Sequence, residues 1–213
     1  MITLYGVYRS RASRPIWLLT ELALDFTHVP VLQAYRLTDG RRAQGWTTAS
    51  PEFLAVNPLG QIPAYVEDGL VLTESFAITL HIARRHGGDL GPRSMAEAAL
   101  IDQWTLLAAT AVEVPALEIL LALESGTQLE GVALNATRLR RPLRRLEQQL
   151  EAADWLVGGR FTVADLNMAE CLRYAQGDPR LLSEFPVVEA WMKRCQARPA
   201  FQAMWARRLQ EPD

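Results

Sequence analysis

Three hydroxyl side chains near the N-terminus could donate hydrogen bonds in a functional site. Tyr5 closes a short apolar run, and Ser10 and Ser13 follow it just before an apolar helical pattern. A hydroxyl that donates a hydrogen bond to a thiolate lowers the pKa of the thiol. The two cysteines, Cys171 and Cys195, lie far along the chain in segments with helical apolar spacing, and the sequence has no C-x-x-C dithiol. We therefore expect both cysteines to be reduced core residues, and any reacting thiol to come from outside the protein.

A second candidate group is Glu74 and Ser75, which stand where another helical pattern begins. The free N–H groups of a helix start, together with a serine hydroxyl, can bind a carboxylate. The acidic side chain beside them can attract an ammonium group. This pair could therefore bind a zwitterion. Simple capping of the helix is the alternative interpretation.

These residues require a mixed α/β domain that brings them together. Pro15 suits a first helical turn, so the first helix should begin near Ser13. The pattern predicts, in order, a strand at residues 2–5, this helix, a strand at 26–32, a long irregular segment at 33–50, a short helix from Pro51, a hairpin of 62–66 and 70–72 around Asp68-Gly69, and a helix at 74–86 that ends at Gly87-Gly88.

The rest of the chain shows only helical patterns. The signals are a capping box at Ser94–Glu97 that opens a long helix, a kink expected at Pro115, an end near Gly126, a leucine repeat over 139–150 interrupted by Pro142, a capping box at Thr162–Asp165 with Phe161 and Leu166 as its staple, and a helix at 186–195. We therefore predict two domains, a mixed α/β domain at 1–87 and an all-helical domain at 94–213.

The motif Asn57-Pro58-Leu59-Gly60-Gln61-Ile62-Pro63, followed by Thr73-Glu74-Ser75, resembles the glutathione-binding core of cytosolic glutathione S-transferases. Phe161–Asp165 resembles the capping box of their helical domain, so the likeness covers nearly the whole chain. The resemblance implies an α/β thioredoxin-like N-terminal domain, an all-α C-terminal domain and a bacterial, serine-type member. Arg11 and Ala12 depart from the zeta-like pattern, which has serine and cysteine there.

The resemblance also implies roles for individual residues. Pro63 should be cis, so that Ile62 offers its backbone to the cysteinyl part of glutathione. Ser10 takes the place of the serine that donates to the sulfur, with Ser13 and Tyr5 as alternatives. The implied glutathione-binding residues are Gln61, Ile62, Pro63, Glu74 and Ser75. The glycyl carboxylate should be bound by one of Arg41, Arg42, Gln44 or Trp46. The acceptor pocket between the domains is assigned to Tyr8, Trp104, Thr105 and Ala108.

The expected function is conjugation of glutathione, as co-substrate, to small apolar electrophiles in detoxification. Glutathione-dependent reduction of peroxides or disulfides and a non-catalytic glutathione-binding assembly module remain alternatives. The resemblance further implies a homodimer in which the N-terminal domain of one chain packs near residues 94–123 of the other.

Composition limits the other partners. The net charge of −2 favours no nucleic acid, and the arginines of 138–145 alternate with leucines as on a solvated helix face. The longest apolar run, 106–123, contains Glu113, Pro115 and Glu118, so we expect no membrane span. His28, His81 and His86 lack metal-ligand spacing, so no metal is predicted. The sequence begins without a secretory pattern, which favours a cytoplasmic protein.

Overall fold

The computed structural model describes residues 1–37, 45–126 and 129–211. These residues form two compact units, one of Met1–Ile82 with Pro199–Asp213 and one of Ala83–Arg198. The first unit has a mixed α/β composition and the second is helical, as the sequence predicted. The units depart from the predicted domain limits in two places: the first division falls after Ile82, ahead of the predicted limit at residue 87, and the last helix belongs with the first unit.

The first unit is built on a four-stranded sheet of β1 (Ile2–Tyr5), β2 (Phe26–Val29), β5 (Ala64–Glu67) and β6 (Leu70–Thr73). The strand order is β2-β1-β5-β6. Strand β1 runs parallel to β2 and antiparallel to β5, and β5 pairs with β6 in a hairpin. Alternating burial along β1, with Ile2 and Leu4 inside, follows from the two-residue period of a strand.

The predicted second strand is divided at Pro30. Strand β2 ends at Val29, and Val31–Leu32 forms a separate strand, β3, because proline has no N–H for a sheet ladder. Strand β3 pairs in parallel with β4 (Trp46–Thr47). The segment predicted to be irregular therefore contains a short strand.

Helices cover the sheet of the first unit. Helix α1 (Ser13–Glu21) connects β1 to β2, α2 (Pro51–Leu54) precedes β5, α3 (Ser75–His86) follows β6, and α10 (Pro199–Gln210) ends the chain. Trp17 of α1 is fully buried, and its ring meets that of Phe201 edge-on with 4.9 Å between centroids. This contact explains why α10 belongs to the first unit although the sequence assigned it to the second domain.

The second unit contains six further helices among the described residues, α4 (Met95–Leu107), α5 (Glu113–Ser125), α6 (Leu129–Ala152), α7 (Val163–Leu172), α8 (Pro179–Ser183) and α9 (Pro186–Gln196). A π-helical turn at Ala108–Val112 joins α4 to α5, just ahead of Pro115. A π turn accommodates an irregular hydrogen-bond ladder. Pro142 lies inside α6, and that helix nevertheless continues through it.

The two predicted capping boxes differ in the structure. At the start of α7 the box is complete: the Thr162 side chain accepts from a backbone N–H of the first helical turn, and the Asp165 carboxylate accepts from the backbone N–H of Thr162. At the start of α4, Ser94 Oγ accepts from Glu97 N at 3.1 Å, but the Glu97 carboxylate accepts from Arg93 N. Arg160 also donates to Glu97 at 2.7 Å. The capping box at Ser94 is therefore only half formed, because the Glu97 carboxylate binds Arg93 N and the Arg160 side chain.

By length and composition the run Met95–Ser125 could also cross a membrane. Its polar groups are engaged within the second unit instead. Thr105 Oγ1 accepts a hydrogen bond from Asn167 at 3.2 Å, and Asp102 pairs with Arg84. The run thus makes polar contacts within the second unit, and the expectation of no membrane span stays a prediction.

Asp165 organises the core around α7. Its carboxylate is fully buried and accepts hydrogen bonds from Leu156 N, Thr162 N and Trp191 Nε1, each at 3.0 Å. Burial raises the pKa of Asp165 to about 6, and the hydrogen bonds from Thr162 and Leu156 oppose that rise. A buried carboxyl that protonates more easily than in the unfolded chain stabilises the fold at low pH.

This raised pKa predicts a pH dependence of stability. Between about pH 4 and pH 6 the unfolded chain loses the Asp165 proton while the folded chain keeps it, so the free energy of unfolding should fall by up to about 3 kcal/mol. Urea unfolding of the wild type and of Asp165→Asn, compared pH by pH, isolates this group. The stability of the wild type relative to the variant should decline across the window. A difference that is flat or rises with pH would contradict the raised pKa.

Candidate functional site

The register of the sheet brings the predicted site residues to one end of three adjacent strands. Tyr5 pairs with Ala64, and Ala64 pairs with Thr73. The loop that leaves β1, the loop that enters β5 and the chain that leaves β6 are therefore neighbours. These segments carry, respectively, Ser10, the Gln61-Ile62-Pro63 motif, and Glu74 with Ser75.

Ser10 lies in the loop between β1 and α1 and is half-buried. Its hydroxyl donates to Val7 O at 2.7 Å and accepts from Ala12 N at 3.0 Å. These bonds shape the chain just before α1 begins at Ser13. Because a hydroxyl hydrogen rotates easily, Ser10 can redirect its donation toward a ligand. Ala12 occupies the N-cap of α1 and no side chain caps it, so Ser10 forms a local turn and does not cap the helix.

The alternative hydroxyls occupy other surroundings. Ser13 is completely buried inside the first unit. The ring of Tyr5 stacks on Trp46 with 5.7 Å between centroids and lies 6.2 Å from the ring of Phe53. The Tyr5 ring serves packing and Ser13 is buried, whereas Ser10 is only half-buried, which favours Ser10 among the three candidates.

The Ile62–Pro63 peptide is cis, as the resemblance predicted. Gly6 lies between this segment and the start of α1. It has φ of +147°, which side-chain-bearing residues rarely adopt, and a Cβ on it would lie 2.7 Å from the Ala12 Cβ and 3.6 Å from the Ile62 Cβ. A side chain at residue 6 would therefore be strained and would clash with Ala12, whereas its distance to Ile62 would be an ordinary contact.

Asn57 holds the turn that leads into the cis proline. Its side chain is buried, donates from Nδ2 to Gln61 O at 2.6 Å, and accepts from Leu59 N at 3.1 Å. Gly60 has φ of +59° and leaves no room for a Cβ, which would lie 2.7 Å from Thr48 O. The N-P-L-G motif is thus a rigid support for Gln61 and Ile62.

Glu74 and Ser75 form the third part of the site. Glu74 is exposed and has φ of +65°, a conformation that non-glycine residues rarely adopt. Such local strain is often stored at functional sites. Ser75 begins α3 and is buried, so its hydroxyl lies beside the backbone N–H groups of the first turn. The structure places the two residues at the helix start that the sequence predicted.

Sequence reasoning missed Arg14. This side chain is fully buried in α1, donates from Nη1 to Ser75 Oγ at 2.9 Å, and places its guanidinium 4.3 Å from the centre of the Phe76 ring. The signal that could have revealed it is an arginine on an apolar helix face. A buried cation next to Ser75 adds positive potential where a carboxylate would bind.

Other predicted residues are placed as follows. Tyr8 lies in the first unit, and burial raises its pKa, with Arg207 opposing the rise and Glu211 adding to it. Trp104, Thr105 and Ala108 are buried in the second unit, where the Arg145 guanidinium lies 5.0 Å from the Trp104 ring centre. Their assignment to an acceptor pocket stays a prediction. Arg41, Arg42 and Gln44 lie outside the described residues.

Histidines and acids form no cluster of three that could hold a metal within the described part of the chain. His28 Nε2 lies 2.8 Å from Gly6 O, and His81 Nε2 lies 3.4 Å from Glu67 Oε2. Both histidines thus make contacts within the fold. The expectation that the protein needs no metal stays a prediction.

Strand order, the cis proline and the covering helices define a thioredoxin-like domain joined to a helical unit. The family model for the glutathione S-transferase N-terminal domain matches residues 1–84, and that for the C-terminal domain matches residues 110–199. Glutathione S-transferase 3 of Zea mays is 36% identical, over 94% of this chain and 91% of the maize protein. The chain therefore belongs to the glutathione S-transferase family.

Solved structures agree with this assignment. Glutathione transferase F7 from Populus trichocarpa superposes with a TM-score of 0.81 at 30% identity, over 98% of this chain and 99% of that one. A theta class enzyme from Xanthomonas axonopodis pv. citri with glutathione bound gives 0.79 at 26% identity, over 95% of each chain. Relatives found by sequence include plant and fission yeast proteins. They give no support to the expectation of a bacterial member.

The backbone of Glu74 allows a sharp test of the predicted γ-glutamyl site. Glu74→Ala removes the carboxylate and keeps the left-handed strain, whereas Glu74→Gly removes both. Each variant should bind glutathione about five- to a hundred-fold more weakly, because the ammonium loses its partner. The glycine variant should also be more stable than the alanine variant by about 1 kcal/mol. Calorimetric titration measures the affinity, and urea unfolding measures the stability.

Ser75→Ala is the companion variant and should weaken glutathione binding to a similar degree. Circular dichroism confirms that each variant is folded. Wild-type affinity in folded Glu74→Ala and Ser75→Ala would mean that these residues only cap α3, and it would contradict the γ-glutamyl assignment.

Proposed function

We propose that this member of the family transfers glutathione to small, apolar electrophiles, with Ser10 as the catalytic residue. The observation that carries the proposal is the convergence at one end of the sheet of the Ser10 loop, the cis-proline segment and the Arg14–Ser75 pair. The relatives are named glutathione S-transferases at 30–36% identity over most of their length, which supports the same class of reaction.

The γ-glutamyl group of glutathione would bind at the start of α3. Its carboxylate accepts hydrogen bonds from the Ser75 hydroxyl and from first-turn N–H groups, while Arg14 supplies a positive charge behind Ser75. The exposed Glu74 carboxylate takes the ammonium group. One helix start thus provides receptors of both signs only one residue apart.

The cysteinyl part would lie along the cis-proline segment. In the manner of an added strand, the backbone of Ile62 offers an N–H and a C=O to the peptide groups of the ligand. Gln61 and Pro63 complete this edge. The buried Asn57 keeps the segment fixed, so little ordering is needed when glutathione binds.

Ser10 and the start of α1 would activate the thiol. A free thiol has a pKa of about 8.5, and lowering it by two units requires about 2.7 kcal/mol. A hydroxyl bond to an anion contributes about 1.5 to 3 kcal/mol, and a helix N-terminus contributes up to about 2 kcal/mol. Their sum is sufficient. The thiol proton passes to solvent, and the thiolate forms a carbon–sulfur bond with the electrophilic atom. In substitution the leaving group departs with its bonding electron pair; in addition the π bond of a polarised double bond breaks, and its far atom takes a proton from solvent.

The glycyl carboxylate would bind near β4, where Trp46 or a residue of the preceding segment, Arg41, Arg42 or Gln44, supplies the donor. Tyr8, Trp104, Thr105 and Ala108 are the proposed acceptor residues. A tyrosine phenol is protonated at neutral pH already at its ordinary pKa of about 10, and burial raises the pKa of Tyr8 further, so it can donate a hydrogen bond to an acceptor. We propose that this reaction serves detoxification, takes place in the cytoplasm and needs no metal.

A second chain of the same kind is the proposed partner. Residues 94–123 expose several large apolar side chains, which is typical of a surface covered by another protein. The exposed fractions are 87% for Met95, 44% for Leu100, 61% for Leu106, 54% for Val114 and 53% for Leu121. This surface coincides with the region at which the resemblance implies a two-fold homodimer.

Steady-state kinetics of serine variants tests the proposed reaction. Ser10→Ala should lower turnover in conjugation ten-fold or more, corresponding to about 1.4 kcal/mol, with little change in glutathione affinity. Ser13→Ala is the matched control and should have the smaller effect, since Ser13 is buried. The assay uses a panel of electrophiles beside a peroxide assay, which distinguishes conjugation from reduction.

Two results would count against this mechanism. A larger loss in Ser13→Ala than in Ser10→Ala would mean that the wrong serine has been assigned. Glutathione binding without turnover on any electrophile or peroxide would instead support the non-catalytic assembly module.

A further inference from the structure

The last helix ends beside the loop that carries Ser10. Helix α10 is anchored at its start by Phe201, which packs on the buried Trp17 of α1 and stacks on Trp205 with 5.7 Å between ring centroids. Because α1 directly follows the Ser10 loop, this anchoring fixes the direction of α10 relative to that loop. The residues that follow α10 therefore lie next to Tyr8 and Arg9.

Glu211 binds this loop with both carboxylate oxygens. Oε1 accepts from Tyr8 N at 2.8 Å, and Oε2 accepts from Arg9 N, also at 2.8 Å. Two successive backbone N–H groups thus point at one carboxylate, an arrangement that gives short, charge-assisted bonds. These hydrogen bonds join Glu211 to residues that precede it by 203 and 202 positions in the sequence.

Two further bonds bind the same short stretch. Arg208 Nη1 donates to Tyr8 O, and Arg9 Nη1 donates to Glu211 O at 3.3 Å. The peptide unit around Tyr8 is therefore held through its N–H and through its C=O by residues of the C-terminal segment. Arg9 and Arg208 also place positive charge around the Glu211 carboxylate, which offsets its negative charge near the loop.

We propose that Glu211 is a positioning residue for Ser10. It fixes the backbone of Tyr8 and Arg9, and Ser10 is the next residue in the chain, so the carboxylate determines where the Ser10 hydroxyl stands relative to the glutathione sulfur. Glu211 acts through the loop and does not touch the reacting atoms. The inference rests on the proposed function for its catalytic consequence, whereas the effect on the loop is independent of it.

The isosteric variant Glu211→Gln is the sharpest test. It keeps the size of the side chain but replaces one accepting oxygen with an NH₂ group, which cannot accept from a backbone N–H. We expect kcat to fall about ten-fold, because catalysis is sensitive to small misplacements of a catalytic group. The pKa of enzyme-bound glutathione, followed by the ultraviolet absorbance of its thiolate against pH, should rise. KM for glutathione should stay within about two-fold, since its binding residues lie elsewhere.

Matched variants separate positioning from general stability. Glu211→Asp retains both oxygens on a shorter side chain and should recover part of kcat and part of the thiol pKa. Gln210→Ala changes the exposed neighbouring residue and should behave as the wild type. Glu211→Ala should resemble Glu211→Gln.

A measurement without glutathione tests the loop itself. Amide hydrogen exchange of Tyr8 and Arg9, resolved by NMR, should be faster in Glu211→Gln than in the wild type, while exchange in the sheet is unchanged. Unaltered exchange at both amides would overturn the inference. So would a kcat and a thiol pKa equal to those of the wild type, or a rise in kcat, which would mean that the freed N–H groups serve the thiolate better than Glu211 does. Faster exchange in the variant, with no glutathione chemistry in the wild type, would confirm that Glu211 holds the loop and would refute the proposed function.

Discussion

The contact between Arg14 and Ser75 is the interaction on which the site depends. Burial of a guanidinium is costly, and here a hydrogen bond from Arg14 Nη1 to Ser75, the residue that begins the helix after β6, offsets part of that cost. It thereby connects the start of α1, next to Ser10, with the start of α3, next to Glu74. One buried side chain joins the proposed thiol-activating part of the site to the proposed γ-glutamyl part. It also makes Ser75 more attractive to an anion.

The remaining constraints act on the backbone. The strand register aligns Tyr5, Ala64 and Thr73, so the chain segments beyond them share one end of the sheet. Gly6 then permits the close packing of the first loop against Ala12 at the start of α1, and Asn57 fixes the turn before the cis proline. These features are formed within the first unit. The proposed glutathione site is therefore largely prepared before any ligand binds, which reduces the entropy cost of binding.

The sequence predicted much of this arrangement because its signals are local. The helix start at Ser13, the hairpin around Asp68-Gly69 and the complete capping box at Thr162 are set by residue types a few positions apart. The family resemblance added the cis form of Pro63, which spacing alone does not determine. The division of the second strand at Pro30 followed from the missing N–H of proline and was readable, although we predicted one strand.

Long-range contacts explain what the sequence did not show. Arg14 and Ser75 are 61 positions apart, and a buried arginine resembles any other charged residue in a sequence pattern. The assignment of α10 to the first unit depends on Trp17 meeting Phe201, and the half-formed capping box at Ser94 depends on Arg160 reaching Glu97. The proposed roles of Ser10, Glu74 and Ser75 are contacts with a ligand, and such contacts cannot be derived from local sequence patterns or from the fold alone.

A crystal structure of the protein with glutathione bound tests the central claim most directly. The account predicts the γ-glutamyl carboxylate within hydrogen-bond distance of Ser75 Oγ, and the sulfur within hydrogen-bond distance of Ser10 Oγ. A γ-glutamyl group bound away from the start of α3, or a sulfur that contacts Tyr5 or Ser13 in place of Ser10, would contradict it.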